Sequence, residues 1–186
     1  MKIFTLKSNT RDYSSFIEEY PANQQSIISR TMAQQWKRFD ESIEPVRLIL
    51  TASDSGKKNF QFDVSCALFP FVIFSEDAVE ALSEHFLAEH GQFLPVITES
   101  KRKSFSGYFP IDPVKKCLDM ERSKYREYPN GLLVEKAVLV ARHLPERDMF
   151  VIEEGIKRIF VTERFKEQVE QSGLKGFDFS NEIEVV

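Results

Sequence analysis

Residues able to do chemistry are scattered along this chain of 186 residues and form no recognisable catalytic motif. Cys117 is a candidate nucleophile and His143 a candidate base, but the fold would have to bring them together. Asp112, Asp119 and Glu121 could supply a pair of carboxylates for acid–base work. With 29 acidic residues in the chain, such a cluster is expected by chance. The sequence therefore predicts no catalytic residues, and a small enzyme with an unrecognised site stays open as an alternative.

The histidines and cysteines also lack the spacing of a metal site. His85 and His90 are five residues apart, whereas two side chains on one face of a helix are three or four apart. Cys66 and Cys117 are the only cysteines, which favours two buried thiols in a reducing compartment over a ligand set or a disulfide framework. The seven glycines form no phosphate-binding loop. We expect neither a metal nor a cofactor.

One concentration of charge has a definite geometry, and it is acidic. The carboxylates follow a serine at position 75, and they are Glu76, Asp77, Glu80 and Glu84. At about 100° per residue they occupy roughly a third of the circumference of a helix, away from its apolar side. The plain interpretation is a solvated outer face, because Glu is a good helix former. The functional interpretation is a partner-binding surface that docks a basic protein and speeds its encounter.

Residues 101–126 are locally basic and carry interleaved aromatic side chains. The cations are Lys101, Arg102, Lys103, Lys115, Lys116, Arg122, Lys124 and Arg126. Solvated loop lysines explain this segment most simply, and a second contact surface or an RNA-binding patch is an alternative. The formal net charge of the whole chain is −4, so its composition does not argue for general binding to nucleic acid or to anionic membranes.

Two copies of one pattern position the acidic helix and a second helix near the other end of the chain. Each copy has a short apolar strand, a hydroxyl N-cap, an acidic first turn, an amphipathic helix and a glycine stop. The caps and stops are Ser75 and Gly91 in the first copy, and Thr162 and Gly173 in the second. Both glycines are predicted to adopt the left-handed conformation that ends a helix. The pattern is compatible with an internal repeat.

The remaining elements complete an α+β prediction. Strands are predicted at Lys2–Leu6, Val46–Thr51, Phe60–Val64, Gly107–Pro110, Val134–Arg142 and Met149–Glu153, and a helix at Gln24–Lys37. The turn residues at 53–56 predict a β-hairpin across 46–64. Seventeen Phe residues predict a core filled largely by benzyl groups. We therefore expect a mainly antiparallel sheet with two capped strand–helix units.

Length predicts one domain over residues 1–186, in which residues 1–55 resemble no family that we can name. The first nine residues have no sustained apolar core, so we expect no secretory signal. No apolar stretch approaches the ~20 residues of a membrane span. We therefore expect a soluble protein of the cytoplasm.

Residues 58–180 resemble a known family. The matching segments are the apolar strand before Ser75, the helix with Val79 and Leu82, the Gly91 to Val96 run, Leu118–Ser123, Ile159–Lys166 and Gly173–Phe179. Together they resemble small bacterial immunity proteins encoded beside polymorphic toxins, a family once catalogued as a domain of unknown function.

The resemblance implies a function without catalysis. Members of the family bind and neutralise a cognate toxin in the cytoplasm of the producing cell, and the family has no catalytic residues to carry over to this chain. The acidic residues Glu76, Asp77, Glu80 and Glu84 are then the first candidates for contact with a basic toxin. A regulatory protein-binding module unrelated to toxins is a further alternative.

Overall fold

A computed structural model describes residues 1–87 and 89–186, except for the side chains of Glu84 and His85. Within these residues the chain has the predicted α+β class, with short and mainly antiparallel strands. The helices are α1 (Ile27–Gln34), α2 (Glu76–Leu82) and α3 (Glu163–Gln171), with a π-helical turn at Ser83–Leu87 and a 3-10 turn at Ala141–His143. None of the described helices combines the length and the hydropathy needed to cross a bilayer.

The strands are short, and most pair with neighbours that are distant in sequence. In chain order they are β1 (Ile3–Thr5), β2 (Lys7–Ser8), β3 (Ser15–Glu18), β4 (Val46–Thr51), β5 (Val64–Ser65), β6 (Val72–Ser75), β7 (Gly91–Leu94), β8 (Val96–Ile97), β9 (Phe105–Pro110), β10 (Lys124–Tyr128), β11 (Gly131–Lys136), β12 (Val138–Leu139), β13 (Met149–Val151), β14 (Ile159–Thr162), β15 (Phe177–Asp178) and β16 (Glu182–Val185). Residues 1–55, which lie outside the family resemblance, thus supply β1 to β4 and α1.

Two antiparallel sheets share one arrangement. The first has the strand order β5-β6-β9-β7, and the second has the order β13-β14-β1-β16 with β12 added in parallel at its edge. In each sheet a hairpin (β5–β6 or β13–β14) leads directly into a helix, α2 or α3. A third strand, β9 in the first sheet and β1 in the second, pairs antiparallel with the second strand of the hairpin, which is β6 or β14. We call these the first and second units; β1 takes the place in the second unit that β9 takes in the first.

The two units agree in register as well as in order. The cap residue pairs with the first residue of the third strand in both: Ser75 with Phe105, and Thr162 with Ile3. The next amide donates to the carbonyl of the preceding residue of that strand, Glu76 N to Ser104 O (2.9 Å) and Glu163 N to Lys2 O (3.0 Å). Matching contacts at this level of detail support the internal repeat that the sequence pattern indicates.

The helices of the two units pack on each other and share one core. Leu82 of α2 and Phe165 of α3 are fully buried, together with strand residues from both sheets. The rings of Phe86 and Phe165 meet edge to face, with centroids 5.5 Å apart. Because neither helix covers its apolar face alone, the two units stabilise each other.

The predicted hairpin across 46–64 is wrong. β4 pairs antiparallel with β3 and parallel with β8, and Phe60–Phe62 forms no strand. Only the end of the predicted second strand pairs, as β5 with β6. Apolar and polar residues alternate over 60–64 because the side chains of Phe60 and Phe62 both enter a core around Phe16, where Phe62 is fully buried. The turn residues at 53–56 do form a turn, but a distant strand provides the better partner for β4.

The two predicted glycine stops have different outcomes. Gly173 has φ +65°, and the amides of Gly173 and Leu174 donate to carbonyls of α3, so the prediction is confirmed there. Gly91 instead lies in β7, and a Cβ at this position would stand 2.0 Å from the ring of Tyr108. Glycine is required at position 91 for close packing and not for a helix end.

Candidate functional site

The acidic residues of α2 lie where the sequence placed them. Glu76, Asp77 and Glu80 are exposed, whereas Ala78 and Leu82 on the opposite side are fully buried. Within the described part of the chain, none of the three carboxylates forms an ion pair or a side-chain hydrogen bond. We call this set of three the acidic face.

The α-helical part of the acidic segment is shorter than predicted. The α-helix ends at Leu82 and continues as a π-helical turn, so regular helical spacing does not extend over 76–90. The side chain of Glu84, the fourth predicted contact residue, lies outside the described part of the structure. Its position relative to the other three carboxylates therefore stays a prediction.

A groove of about 700 Å³ runs beside the acidic face. It lies between α2 of the first unit and the turn that follows α3 of the second. Asp77, Glu80 and Ala81 line it from the α2 side, and Ser172, Gly173, Leu174 and Lys175 line it from the α3 side, with Phe60, Gln61, Asp63 and Lys103 between them. Residues of both units therefore build one concave surface.

Asp63 is the structural centre of this groove. Its buried carboxylate accepts hydrogen bonds from Ser75 Oγ at 2.6 Å, from Lys103 Nζ at 2.7 Å and from the Lys175 amide at 2.6 Å. Burial alone would raise the pKa of Asp63, but the three hydrogen bonds and the Lys103 charge outweigh it and lower the pKa. Asp63 therefore holds residues from both sides of the groove, and both of its carboxylate oxygens accept hydrogen bonds from the protein itself.

The second unit has an equivalent centre at Asp148. Thr162 Oγ1 donates to Asp148 Oδ1, and Arg164 Nη2 approaches Asp148 Oδ2 at 3.0 Å. Arg164 is two residues after its cap, the position that Asp77 occupies in the first unit. The second unit thus takes its cation from its own helix, while the first takes it from Lys103 in a loop. Among the residues that the structure describes, Asp77 has no partner.

This exchange gives the two helices different charge. Residues 76–83 carry three acids and no bases (−3), whereas residues 163–170 carry three acids and two bases (−3 + 2 = −1). Most of the second set is paired, by Lys2–Glu163 at 3.3 Å, Arg164–Asp148 at 3.0 Å and Lys166–Glu170 at 3.8 Å. The two units can therefore be compared directly. Among the described residues, the helix of the first unit has three carboxylates without a counter-charge, whereas most charges of the second helix are paired.

Cys117 does not have the environment of a nucleophile. The side chain is fully buried, and burial raises the pKa of its thiol to about 12, with a further contribution from the charge of Glu154. A thiol of that pKa is protonated at neutral pH, and the thiolate is the reactive form. Nδ1 of His143 is hydrogen-bonded to the backbone carbonyl of Lys116, so that ring nitrogen is already engaged.

The other candidate groups have local structural roles. Asp119 Oδ1 accepts the amides of Glu121 and Arg122 at 3.0 Å each, which makes it the cap of a turn. His90 lies 3.8 Å from a carboxylate oxygen of Asp112. In the described ranges, no three His, Cys, Asp or Glu side chains come together as a metal site would require.

Several cations of the basic segment 101–126 are neutralised within the fold. Lys103 pairs with Asp63, Lys115 with Glu153 at 3.8 Å, Arg122 with Asp119 at 4.0 Å and Arg126 with Glu135 at 2.6 Å. Each of these pairs reduces the positive potential available to a phosphate backbone. The acidic face is therefore the less compensated of the two charged surfaces.

No family model and no curated protein matches this chain. The geometry above and the sequence resemblance are thus the basis for a functional proposal. The role of Asp63 does not follow from the sequence, because its alternation with Phe62 and Val64 in the predicted strand Phe60–Val64 favours a solvent-facing side chain. A signal was present, since an acid precedes both hairpins, 12 residues before Ser75 and 14 before Thr162.

Proposed function

We propose that this protein is an immunity protein, which binds a basic bacterial toxin in the cytoplasm and occludes its active site. The resemblance over residues 58–180 provides the class of function. The acidic face and the adjoining groove provide a surface suited to it. Toxins that act on nucleic acid carry basic active sites, so an acidic inhibitor gains both steering and occlusion.

The observation that carries the proposal is the contrast between the two units. Arg164 neutralises Asp148 in the second unit, whereas Asp77, which stands at the same position in the first unit, has no partner in the described part of the chain. Folding does not require this arrangement, since the second unit forms without it. A cation from a partner protein would supply the counter-charge that the first unit lacks.

The groove provides apolar contact beside the charges. Phe60, Ala81 and Leu174 are partly buried and line it, so the carbon stems of a lysine or arginine could pack there. A stable inhibitor complex buries about 1,200–2,000 Å² in total. The groove and the acidic face are then the centre of an interface that extends onto neighbouring surface.

The equivalent positions of the two helices allow a matched test. Glu80 and Glu167 both follow their caps by five residues, both are exposed, and neither forms an ion pair in the described part of the chain. We expect Glu80→Lys to weaken binding to the product of the neighbouring toxin gene, by roughly 2–5 kcal/mol if the charge is buried in the interface. Calorimetry and a co-expression protection assay would measure this.

Glu167→Lys is the control and should leave binding and protection unchanged. Both substitutions should change the stability of the free protein by less than about 0.5 kcal/mol. If Glu80→Lys binds as tightly as the wild type, with the same dependence on salt, the interface lies elsewhere. The basic segment 101–126 would be the next surface to test.

Gene neighbourhood separates this proposal from its alternatives. An adjacent reading frame that ends in a variable toxin domain is expected for an immunity protein. A regulatory binding module would use the same surface without such a neighbour. An enzyme would have to use the unpaired carboxylates of Asp77 and Glu80 in the groove, because Asp63 already accepts three hydrogen bonds from the protein. Turnover of a small substrate without a protein partner would indicate an enzyme.

A further inference from the structure

A smaller cavity of about 210 Å³ lies between β11 and the turn that leads into β14. Its apolar walls come mainly from Phe69, Leu132, Leu133 and Ile156. Three cationic residues, Lys7, Lys157 and Arg158, also line it, and none of the described residues that line it is acidic. In a chain whose net charge is −4, this is a local excess of positive charge around an apolar space.

Arg158 is the central observation. Its guanidinium is half-buried, and Nη2 donates to the carbonyls of Val134 at 2.7 Å and Glu135 at 3.2 Å. No carboxylate pairs with it in the described residues, and burial lowers its pKa. Removing a charge from water without a counter-ion is costly. The unpaired charge of Arg158 therefore lies at the wall of a cavity.

Lys7 and Lys157 are also half-buried. Neither Lys7 nor Lys157 forms an ion pair among the residues that the structure describes. Other half-buried cations do pair with acids, as Lys103 does with Asp63 and Arg30 with Glu18. Three unpaired cations around one apolar cavity therefore indicate that an anion from outside completes the site.

We propose that this cavity binds a carboxylate carried on a small apolar group. The apolar group fills the space between Leu132 and Ile156, and the carboxylate accepts hydrogen bonds from Arg158 and a neighbouring lysine. The volume is below the roughly 300–1,000 Å³ of pockets for drug-sized ligands, so the apolar group is about the size of one leucine or phenylalanine side chain. A free short-chain or aryl carboxylate and the C-terminal residue of a peptide share this chemistry. The proposal is independent of toxin binding.

The test compares acids with their neutral amides. Phenylacetate and 4-methylpentanoate, and the corresponding amides, would be titrated into the full-length protein and followed by NMR chemical shifts. We expect the acids to bind about tenfold more tightly than the amides or better, as charge-assisted hydrogen bonds do. Pentapeptides that end in leucine, with a free or an amidated terminus, distinguish the two sources of the carboxylate. Tighter binding of the free-terminus peptide would indicate a peptide C-terminus as the ligand, and tighter binding of the small acids would indicate a free carboxylate.

Variants locate the binding. Arg158→Met keeps the carbon stem and should weaken acid binding by about tenfold. Lys101→Met replaces an exposed lysine that does not line the cavity, and it should leave acid binding unchanged. If Arg158→Met does not fold, the double variant Lys7→Met and Lys157→Met takes its place with the same expected loss. Equal affinity for acids and amides, absence of binding by every acid and peptide, or unchanged affinity in a folded cavity variant would each overturn the proposal.

Discussion

Phe165→Ala is expected to lower the free energy of unfolding by roughly 3–5 kcal/mol, the range for removing a buried aromatic ring. Phe165 is fully buried and contacts aromatic rings from several elements, including Phe86 and Phe177. Because it lies where α2 and α3 meet, its loss leaves a cavity in the core that both units share. Urea denaturation followed by circular dichroism would measure the change.

Tyr20→Ala is a suitable control, since the Tyr20 side chain is largely exposed and should cost less than about 1 kcal/mol. The fully buried Leu82 on the facing helix should behave like Phe165, with a loss of roughly 2–5 kcal/mol on replacement by Ala. If Phe165→Ala unfolds with a loss near that of Tyr20→Ala, the two units do not share a core.

Asp63→Ala is expected to cost roughly 3 kcal/mol, the lower end of the range for removing one partner of a buried ion pair. The lower end applies because the Lys103 side chain stays partly exposed. The substitution also leaves Ser75 Oγ and the Lys175 amide without an acceptor. Thermal and chemical denaturation would measure the loss, and unchanged stability would contradict the role assigned to Asp63.

The same variant should show a weaker dependence of stability on acid pH. The pKa of Asp63 is lowered in the folded state, so its contribution is full above the ordinary carboxyl pKa of about 4. It is lost as the pH falls through the lowered folded pKa. Between neutral pH and strong acid, the wild type should therefore lose more stability than Asp63→Ala does.

The repeat provides a rescue experiment for this ion pair. Lys103→Met removes the cation of Asp63, and Asp77→Arg then places an arginine at the position of Arg164 in the second unit. If the two centres are equivalent, Asp77→Arg should stabilise the Lys103→Met protein by about 1 kcal/mol. No gain in that background would show that the geometry of the Asp148 centre does not transfer to Asp63.

Local features were predictable from the sequence. Ser75 and Thr162 cap their helices through hydrogen bonds to the amides of Ala78 and Phe165, as their types and positions indicated. A cap depends on residues within one turn, so nearby sequence is sufficient to identify it. The exposed and buried sides of α2 followed from helical spacing for the same reason.

Strand pairing was not predictable, because it depends on residues far away. β4 has turn residues immediately after it, yet it pairs with β3 and β8 instead of the segment that follows. Asp63 likewise looked like a solvent-facing residue of a strand. Its burial depends on Lys103 and on the amide of Lys175, 112 residues away. Gly91 was misread because only the folded structure brings the Tyr108 ring against it.

The place of β1 in the second sheet has a consequence for the order of assembly. In the first unit β6 meets β9 after a short connection, from Ser75 to Phe105. In the second, β14 must meet β1, so Thr162 pairs with Ile3 near the opposite end of the chain. Closing a long loop is entropically unfavourable and slows folding.

The strands of the first unit can therefore pair while β1 is still unpaired, because β1 reaches β14 only by closing a loop of most of the chain. The repeat thus separates folding into an early half and a late half, and the late half ties the two ends of the chain together. Pulse-labelled hydrogen exchange during refolding should protect the amides of β6 and β9 before those of β1 and β14. Simultaneous protection of all four strands would mean that the two units form in a single step.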